Sequence, residues 1–123
     1  MSRIRVTWPE GEVVARLADT PSARAVVAAL PTRARARTWG EEVYFPLRAD
    51  VALEPDARDV VEPGTVCYWV EGKSLALPYG PTPVSHHGEC RLVAAVNVLG
   101  RIEGDPRALV TLRDGDPVEV RLA

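Results

Sequence analysis

The sequence is poor in several residue types that proteins use for catalysis or for binding nucleic acid. Among its 123 residues there is one lysine, Lys73, one phenylalanine, Phe45, and no methionine besides Met1. It has two histidines and two cysteines, and its net charge is −2. A slightly acidic chain exerts no general attraction on nucleic acid or on an anionic membrane. We therefore expect neither of them as a partner.

Long hydrophobic runs are also lacking. No run approaches the roughly 20 apolar residues that a membrane-spanning helix needs. The first residues, MSRIRVTW, carry charge but no apolar signal core, and we therefore predict a cytoplasmic protein with reduced cysteines. Hydrophobic residues make up 46% and charged residues 26% of the chain, which is typical of a globular domain. The length fits one domain over residues 1–123, with a core that needs no cofactor or metal.

What the sequence does contain is a series of short segments in which apolar and polar residues alternate. This pattern predicts strands with one buried face. We predict them at residues 3–8, 12–18, 32–39, 41–47, 66–70, 74–79, 109–112 and 118–122. The run at 92–99 is almost continuously apolar, which predicts a strand covered on both faces. Residues 48–63 lack a regular pattern and predict a long surface loop, with a short strand at its start.

One helix is predicted between the second and third strands. Thr20 is a suitable N-cap, Pro21 fits the first helical position, and Pro31 ends the element. About eight short strands and one short helix favour a mainly-β fold, with an antiparallel sheet closed into a barrel.

Arginines alternate with alanines in the third predicted strand. Arg33, Arg35 and Arg37 share one face, and Ala34 and Ala36 share the other. Such a face could bind an anion or nucleic acid. We favour a solvated strand face, because no base-stacking aromatic residues alternate with the arginines.

A hairpin and a proline loop occupy residues 64–83. The two apolar runs, VCYWV and SLALPY, are joined by EGK, and we expect Gly72 to supply the positive φ of the turn. Gly80-Pro81-Thr82-Pro83 cannot continue a strand ladder, because proline lacks an N–H. Alternation places Tyr68 and Trp69 on opposite faces, and which of them lies inside stays open.

Three blocks of this sequence resemble a small prokaryotic family of cyclophilin-like proteins of unknown function. They are WGEEVYF at 39–45, the segment 64–83 with its YW, GK and GPTP motifs, and NVLGR at 97–101. The sequence departs from the family pattern at Thr65, at Val70 and at the pair His86-His87. The resemblance implies a cyclophilin-type barrel of about eight antiparallel strands. It implies no particular activity.

Our leading hypothesis is a non-catalytic or cryptically catalytic barrel that binds a small molecule or a peptide. Aromatic rings beside a stiff loop are typical of an apolar cleft. The candidate ligand-binding residues are Trp39, Tyr44, Trp69, Tyr79, Pro81 and Thr82. The alternative suggested by the fold is a peptidyl-prolyl cis-trans isomerase, although fold does not fix function. Catalytic residues and oligomeric state stay unassigned.

A metal-binding barrel is the second alternative. His86, His87, Glu89 and Cys90 form the densest group of potential ligands. Neighbouring side chains on an extended loop point apart, so we favour a solvated loop that binds no metal. We interpret Cys67 as a core thiol, and Cys90 as a residue that could act as a nucleophile.

Overall fold

The structure is a computed structural model and describes residues 2–123. Within that range it is mainly β, with one α-helix and one 3₁₀ helix, as the sequence predicts for the fold class. The elements are β1 (Ser2–Trp8), β2 (Gly11–Leu17), α1 (Pro21–Ala28), β3 (Thr32–Arg35), β4 (Arg37–Thr38), β5 (Glu42–Pro46), β6 (Arg58–Val60), β7 (Thr65–Trp69), β8 (Ser74–Pro78), β9 (Arg91–Ile102), the 3₁₀ helix (Pro106–Thr111) and β10 (Pro117–Leu122).

The strands form one antiparallel sheet in the order β3-β10-β1-β2-β9-β7-β8-β5-β4, and β6 pairs with β9 beside this path. The end strands β3 and β4 are separated by Ala36 and do not pair with each other among residues 2–123. The two end strands are therefore connected covalently through Ala36 and not by backbone hydrogen bonds between them. The prediction of an antiparallel sheet is confirmed, and the prediction of a closed barrel is not.

The predicted strand 32–39 is split at Ala36 for a specific reason. Ala36 is fully buried, its N–H donates to Asp116 O at 2.8 Å, and its carbonyl accepts from Gly115 N at 2.7 Å. Its backbone is therefore bound to the turn before β10, while β3 pairs with β10 and β4 pairs with β5. The arginines on either side are exposed, as predicted for a solvated face.

Helix α1 begins as the sequence predicts. The Thr20 hydroxyl accepts from Ala23 N at 3.1 Å, and Pro21 occupies the first turn. Ala23 and Val26 are buried in the larger core. The helix therefore packs its apolar side on the sheet.

The two faces of the sheet carry two separate hydrophobic clusters. We call the face with the larger cluster the inner face; it includes Phe45, Tyr68 and Leu99. Tyr68 donates its hydroxyl to Leu47 O at 2.8 Å, which places this ring inside. Trp69 packs against the smaller cluster, on what we call the outer face. The question that alternation left open is thus settled by the structure.

Strand β9 is longer and less covered than predicted. It runs for 12 residues, and Val93 is 60% exposed. Its first half pairs with β6, and its second half pairs with β7 and β2. Leu92 and Val96 of the first half belong to the outer cluster. This half of β9 therefore lies over the outer face of the sheet.

Three local predictions are wrong. Residues 109–111 lie in the 3₁₀ helix and Leu112 caps its end, so no strand forms here, because the Asp105 carboxylate caps Arg107 N at 2.9 Å and proline follows the cap. The short strand in the loop 48–63 lies near its end, at β6. In the hairpin turn, Lys73 rather than Gly72 has a positive φ, of 47°.

Candidate functional site

A pocket of about 230 Å³ lies between the outer face of the sheet and the first half of β9. We call it the Glu42 pocket. Its lining is mostly aromatic and aliphatic, with one carboxylate. The lining residues are Trp39, Glu42, Tyr44, Trp69, Leu92, Val93 and Val96.

Strand alternation explains how β5 contributes to this pocket. Val43 and Phe45 point to the inner face and are fully buried in the larger core. Glu42 and Tyr44 must then point to the outer face, since successive side chains of a strand lie on opposite sides. Trp39 N donates to Glu42 O at 3.0 Å, which holds the third aromatic residue beside them.

Two aromatic rings form a corner of the pocket. The rings of Tyr44 and Trp69 lie 6.0 Å apart between centroids, and their planes meet at 84°. Such edge-to-face contacts are favourable for aromatic pairs.

The hairpin turn holds the indole of Trp69 in place. A Cβ added at Gly72 would lie 2.2 Å from Trp69 Cε3 and 2.4 Å from Cζ3. The backbone of the turn therefore packs directly on the six-membered part of the indole. The five-membered part, which carries Nε1, lies beyond this contact. Nε1 is buried and has no hydrogen-bond partner within residues 2–123.

Glu42 is the charged residue of the pocket. It is 7% exposed, and burial raises its pKa to about 7. No side chain in the described part of the chain hydrogen-bonds or ion-pairs with its carboxylate. Burial without a partner disfavours the ionised form. Burial therefore moves the ionisation of this carboxyl from the acidic range toward neutral pH.

The neighbouring Glu41 lies in an opposite environment. Arg107 donates to both of its carboxylate oxygens, at 3.0 and 3.1 Å, and this hydrogen-bonded pair lowers the pKa of Glu41. The same Arg107 guanidinium lies 5.5 Å from the centre of the Tyr79 ring. Glu41 is thus occupied by an internal partner, whereas Glu42 faces the pocket.

The sequence-predicted ligand residues divide into two groups. Trp39, Tyr44 and Trp69 meet in the Glu42 pocket. Tyr79, Pro81 and Thr82 do not line it. Tyr79 is 8% exposed and belongs to the larger core, and Pro81 is exposed.

The proline loop, residues 80–83, packs on the chain segments that carry the pocket residues. Thr82 is buried, and its hydroxyl donates to Arg91 O, which begins β9. A Cβ at Gly40 would lie 2.8 Å from Thr82 Cα, so the loop packs directly on the residue that follows Trp39. Glu41 N also donates to Pro81 O at 2.8 Å. The loop therefore fixes the position of one pocket wall without contacting the cavity.

Sequence reasoning missed Glu42 and the aliphatic residues of β9. The available signal was the alternation of 42–45, which places Glu42 on the same face as Tyr44. It could not indicate burial, because the cover comes from β9, about fifty residues later in the chain. Val93 was assigned to a strand buried on both faces, yet it lies exposed at the pocket rim.

The loop of the histidines is exposed, as predicted. His86 and His87 are both exposed. Arg91 donates to both oxygens of Glu89 at 2.9 Å, and these bonds hold the pKa of Glu89 at about 2. In the described range 2–123, no group of three or more His, Cys, Asp and Glu side chains is arranged to hold a metal ion.

The two thiols and the phenylalanine are buried. Cys67 is 0% exposed, which confirms its interpretation as a core thiol. Burial raises the pKa of Cys90 to about 11, so this thiol is neutral at physiological pH and a poor nucleophile. Phe45 is also fully buried and cannot line a proline-binding pocket.

These features define a small, mainly-β protein with an aromatic pocket on the outer face of its sheet. The Cyclophilin-like family model matches residues 2–121, and the chain belongs to this family. The resemblance inferred from the sequence motifs is thereby confirmed.

The chain is similar to the hypothetical protein AF2241 from Archaeoglobus fulgidus, whose solution structure is known. The two are 38% identical, with a TM-score of 0.85 over 99% of this chain and 95% of the other. No curated protein matches the chain. Within residues 2–123, no helix is long and apolar enough to cross a membrane.

Proposed function

We propose that this protein binds a small molecule in the Glu42 pocket. The observation that carries the proposal is the pairing of aromatic walls with the side chain of Glu42, which is 7% exposed and has no protein partner among residues 2–123. A carboxylate with so little exposure and no partner is uncommon. A bound ligand with a polar group would supply the missing partner.

The size of the pocket favours a small molecule over a peptide segment. Its volume of about 230 Å³ lies below the roughly 300–1,000 Å³ of pockets that enclose a drug-sized ligand. The lining is apolar with few polar groups, which is the usual character of such sites. A compact molecule of a few heavy atoms fits this space.

The test uses three probes of nearly the same shape and different charge. They are choline, its neutral carbon analogue 3,3-dimethyl-1-butanol, and the anion 3,3-dimethylbutanoate. We expect at least one of them to shift the indole N–H signals of Trp39 and Trp69 in a ¹⁵N-labelled sample. The variant Trp39→Ala should lose this response.

Two exposed valines provide a matched control. Val93 lies at the pocket rim and is 60% exposed, whereas Val110 lies in the 3₁₀ helix and is 55% exposed. We expect Val93→Ser to weaken probe binding and Val110→Ser to leave it unchanged. Signal changes that map away from the pocket, or equal binding by Trp39→Ala, would refute the proposal.

The isomerase alternative is tested separately. A protease-coupled peptide assay measures the conversion of a cis prolyl bond to trans, which takes tens of seconds without a catalyst. We expect no acceleration by this protein, because no observation of the pocket favours a prolyl peptide. Clear acceleration, lost in Trp39→Ala, would replace binding by isomerase activity.

A further inference from the structure

We propose that the Glu42 pocket selects small organic cations, with an ammonium group enclosed by its three aromatic rings and facing the Glu42 carboxylate. This inference rests on the proposed function, and it specifies the chemical class of the ligand. It follows from the charge of the lining, the arrangement of the rings and the absence of a protein partner for the Glu42 carboxylate among residues 2–123.

The lining of the pocket carries negative charge and no positive charge. Glu42 is the charged residue in its lining, and the other lining residues are aromatic or aliphatic. In the described part of the chain no cation is paired with this carboxylate. A positively charged ligand would stabilise the ionised carboxylate within the apolar surroundings. An anion would add a second negative charge to the same small space.

The arginines on adjoining segments are engaged elsewhere or lie outside the pocket. Arg91 pairs with Glu89 and Asp59, each at 2.9 Å. Arg107 pairs with Glu41 at 3.0 Å. Arg37 is the cross-strand neighbour of Tyr44, but it is exposed and does not line the pocket. Arg58, the cross-strand neighbour of Val96, is exposed and lines a different pocket. None of these four arginines forms an ion pair with Glu42 among residues 2–123.

The rings suit a cation as well as a hydrophobic group. An ammonium ion is attracted to the face of an aromatic ring within about 6 Å of its centre, most strongly for tryptophan. Tyr44 and Trp69 stand at 84° to each other, and Trp39 adds a third wall. Perpendicular aromatic walls around a carboxylate are the arrangement that encloses an ammonium head.

The experiment compares choline with 3,3-dimethyl-1-butanol by calorimetry at pH 8. The two molecules have the same shape, and they differ in that a carbon replaces the charged nitrogen. We expect choline to bind at least about tenfold more tightly. In Glu42→Gln this preference should fall to the part that the aromatic rings alone supply, while the neutral alcohol keeps its affinity.

A second measurement needs no variant. In the wild-type protein, ¹³C NMR of the Glu42 carboxyl group follows its titration. Choline should lower the pKa of Glu42, since a ligand that prefers the ionised form must shift the titration by linkage. The neutral alcohol should not lower it. This keeps the inference testable if Glu42→Gln fails to fold.

The outcomes separate the two proposals. Equal affinity of choline and the alcohol, both in the pocket, would refute the cation preference and leave small-molecule binding intact. Preference for 3,3-dimethylbutanoate would refute it as well. Failure of all three probes to reach the pocket would refute both proposals. A trimethyl-lysine peptide that binds more tightly than choline would refute a free small molecule as the occupant.

Discussion

At the scale of single residues, the adjacent glutamates illustrate how environment decides chemistry. Glu41 and Glu42 are adjacent, yet Glu41 pairs with Arg107 whereas Glu42 lines the pocket. Arg107 holds Glu41 ionised, whereas burial raises the pKa of Glu42 to about 7. The same residue type is therefore a structural anion in one position and a candidate ligand group in the next.

We predict that Glu42→Gln stabilises the protein at pH 8 and changes its pH dependence. A folded pKa of about 7, above the ordinary 4.5, means that the folded state holds the proton more tightly. The contribution to stability is fully present below about pH 4.5 and is lost as the pH rises through about 7. The loss amounts to at most about 3 kcal/mol. Urea unfolding at pH 5 and pH 8 measures it.

The matched control for this prediction is Glu41→Gln. The pKa of Glu41 is lowered by Arg107, so its contribution is present above its unfolded pKa and is lost as the pH falls. This variant should therefore gain nothing at pH 8. If wild type and Glu42→Gln showed the same change in unfolding free energy between the two pH values, Glu42 would not have the raised pKa on which the prediction depends.

At the scale of secondary-structure elements, the strands with one solvent-exposed face were predicted most accurately. Strands β1, β2 and β10 have one wet face, so alternation found them within a residue or two. Residues 109–112 form a short apolar run without this signal, and such runs do not distinguish a strand from a helical turn. The Asp-Pro pair at 105–106 was the better indicator of the 3₁₀ helix.

The candidate site was predictable to the same extent. Alternation and aromatic content identified Trp39, Tyr44 and Trp69, which the structure brings together. The sequence could not show that the first half of β9 covers them, because this cover depends on long-range pairing with β6, β7 and β2. Without this cover, Glu42 reads as an ordinary surface carboxylate.

We predict that Gly72→Ala disturbs the pocket through the hairpin turn. The added Cβ would lie 2.2 Å from Trp69 Cε3, so the indole must move. Overpacking of this kind typically costs about 1–3 kcal/mol. Urea unfolding measures the loss, and tryptophan fluorescence should report a changed environment for Trp69.

Gly88→Ala is the control for Gly72→Ala. It distinguishes loss of the contact between Gly72 and the Trp69 indole from the general effect of replacing a glycine. Gly88 has a φ of 79°, and no atom lies within 4 Å of the Cβ position. Its replacement should cost stability through backbone strain alone. We expect it to leave the fluorescence and the probe binding of the pocket unchanged. A pocket equally affected by both substitutions would contradict the role assigned to Gly72.

At the scale of the whole molecule, the motifs of the family resemblance mostly explain the fold. Gly100 of NVLGR allows close approach to β2, since a Cβ there would lie 1.9 Å from Arg16 O. Thr82 of GPTP is bound to the start of β9. The block WGEEVYF differs, because it contributes Trp39, Glu42 and Tyr44 to the pocket. Recognition of the family therefore predicted the architecture better than the ligand.

The side chain of Asn97, a residue of the NVLGR motif, connects separate segments of the chain by hydrogen bonds. Its amide donates to Ser22 Oγ at 2.9 Å and to Ala52 O at 2.8 Å, and its oxygen accepts from Glu54 N at 2.8 Å. The side chain is fully buried. Asn97→Ala leaves these groups unpaired, and we expect it to destabilise the protein by about 2–4 kcal/mol in urea unfolding.

Arg3→Ala serves as the control for Asn97→Ala. Arg3 donates to Glu103 at 2.9 Å, but its side chain is half exposed. Exposed ion pairs contribute little to stability, because water and salt screen them. Its loss should change unfolding far less than the loss of Asn97. If both variants unfolded at the same urea concentration, the buried network would not have the stabilising role we assign to it.

The stability of the whole molecule should not depend on the histidine loop or on a metal ion. A structural zinc site needs four ligands, and here Glu89 is bound by Arg91 while both histidines are exposed. The inner face buries large side chains such as Phe45 and Leu99, which is a sufficient source of stability for a chain of this length. We therefore expect His86→Ala combined with His87→Ala to leave the melting temperature nearly unchanged, and EDTA to have no effect. Elemental analysis of the purified protein provides the complementary measurement. Stoichiometric zinc, or a melting temperature lowered by chelation, would mean that an ion is part of the native structure.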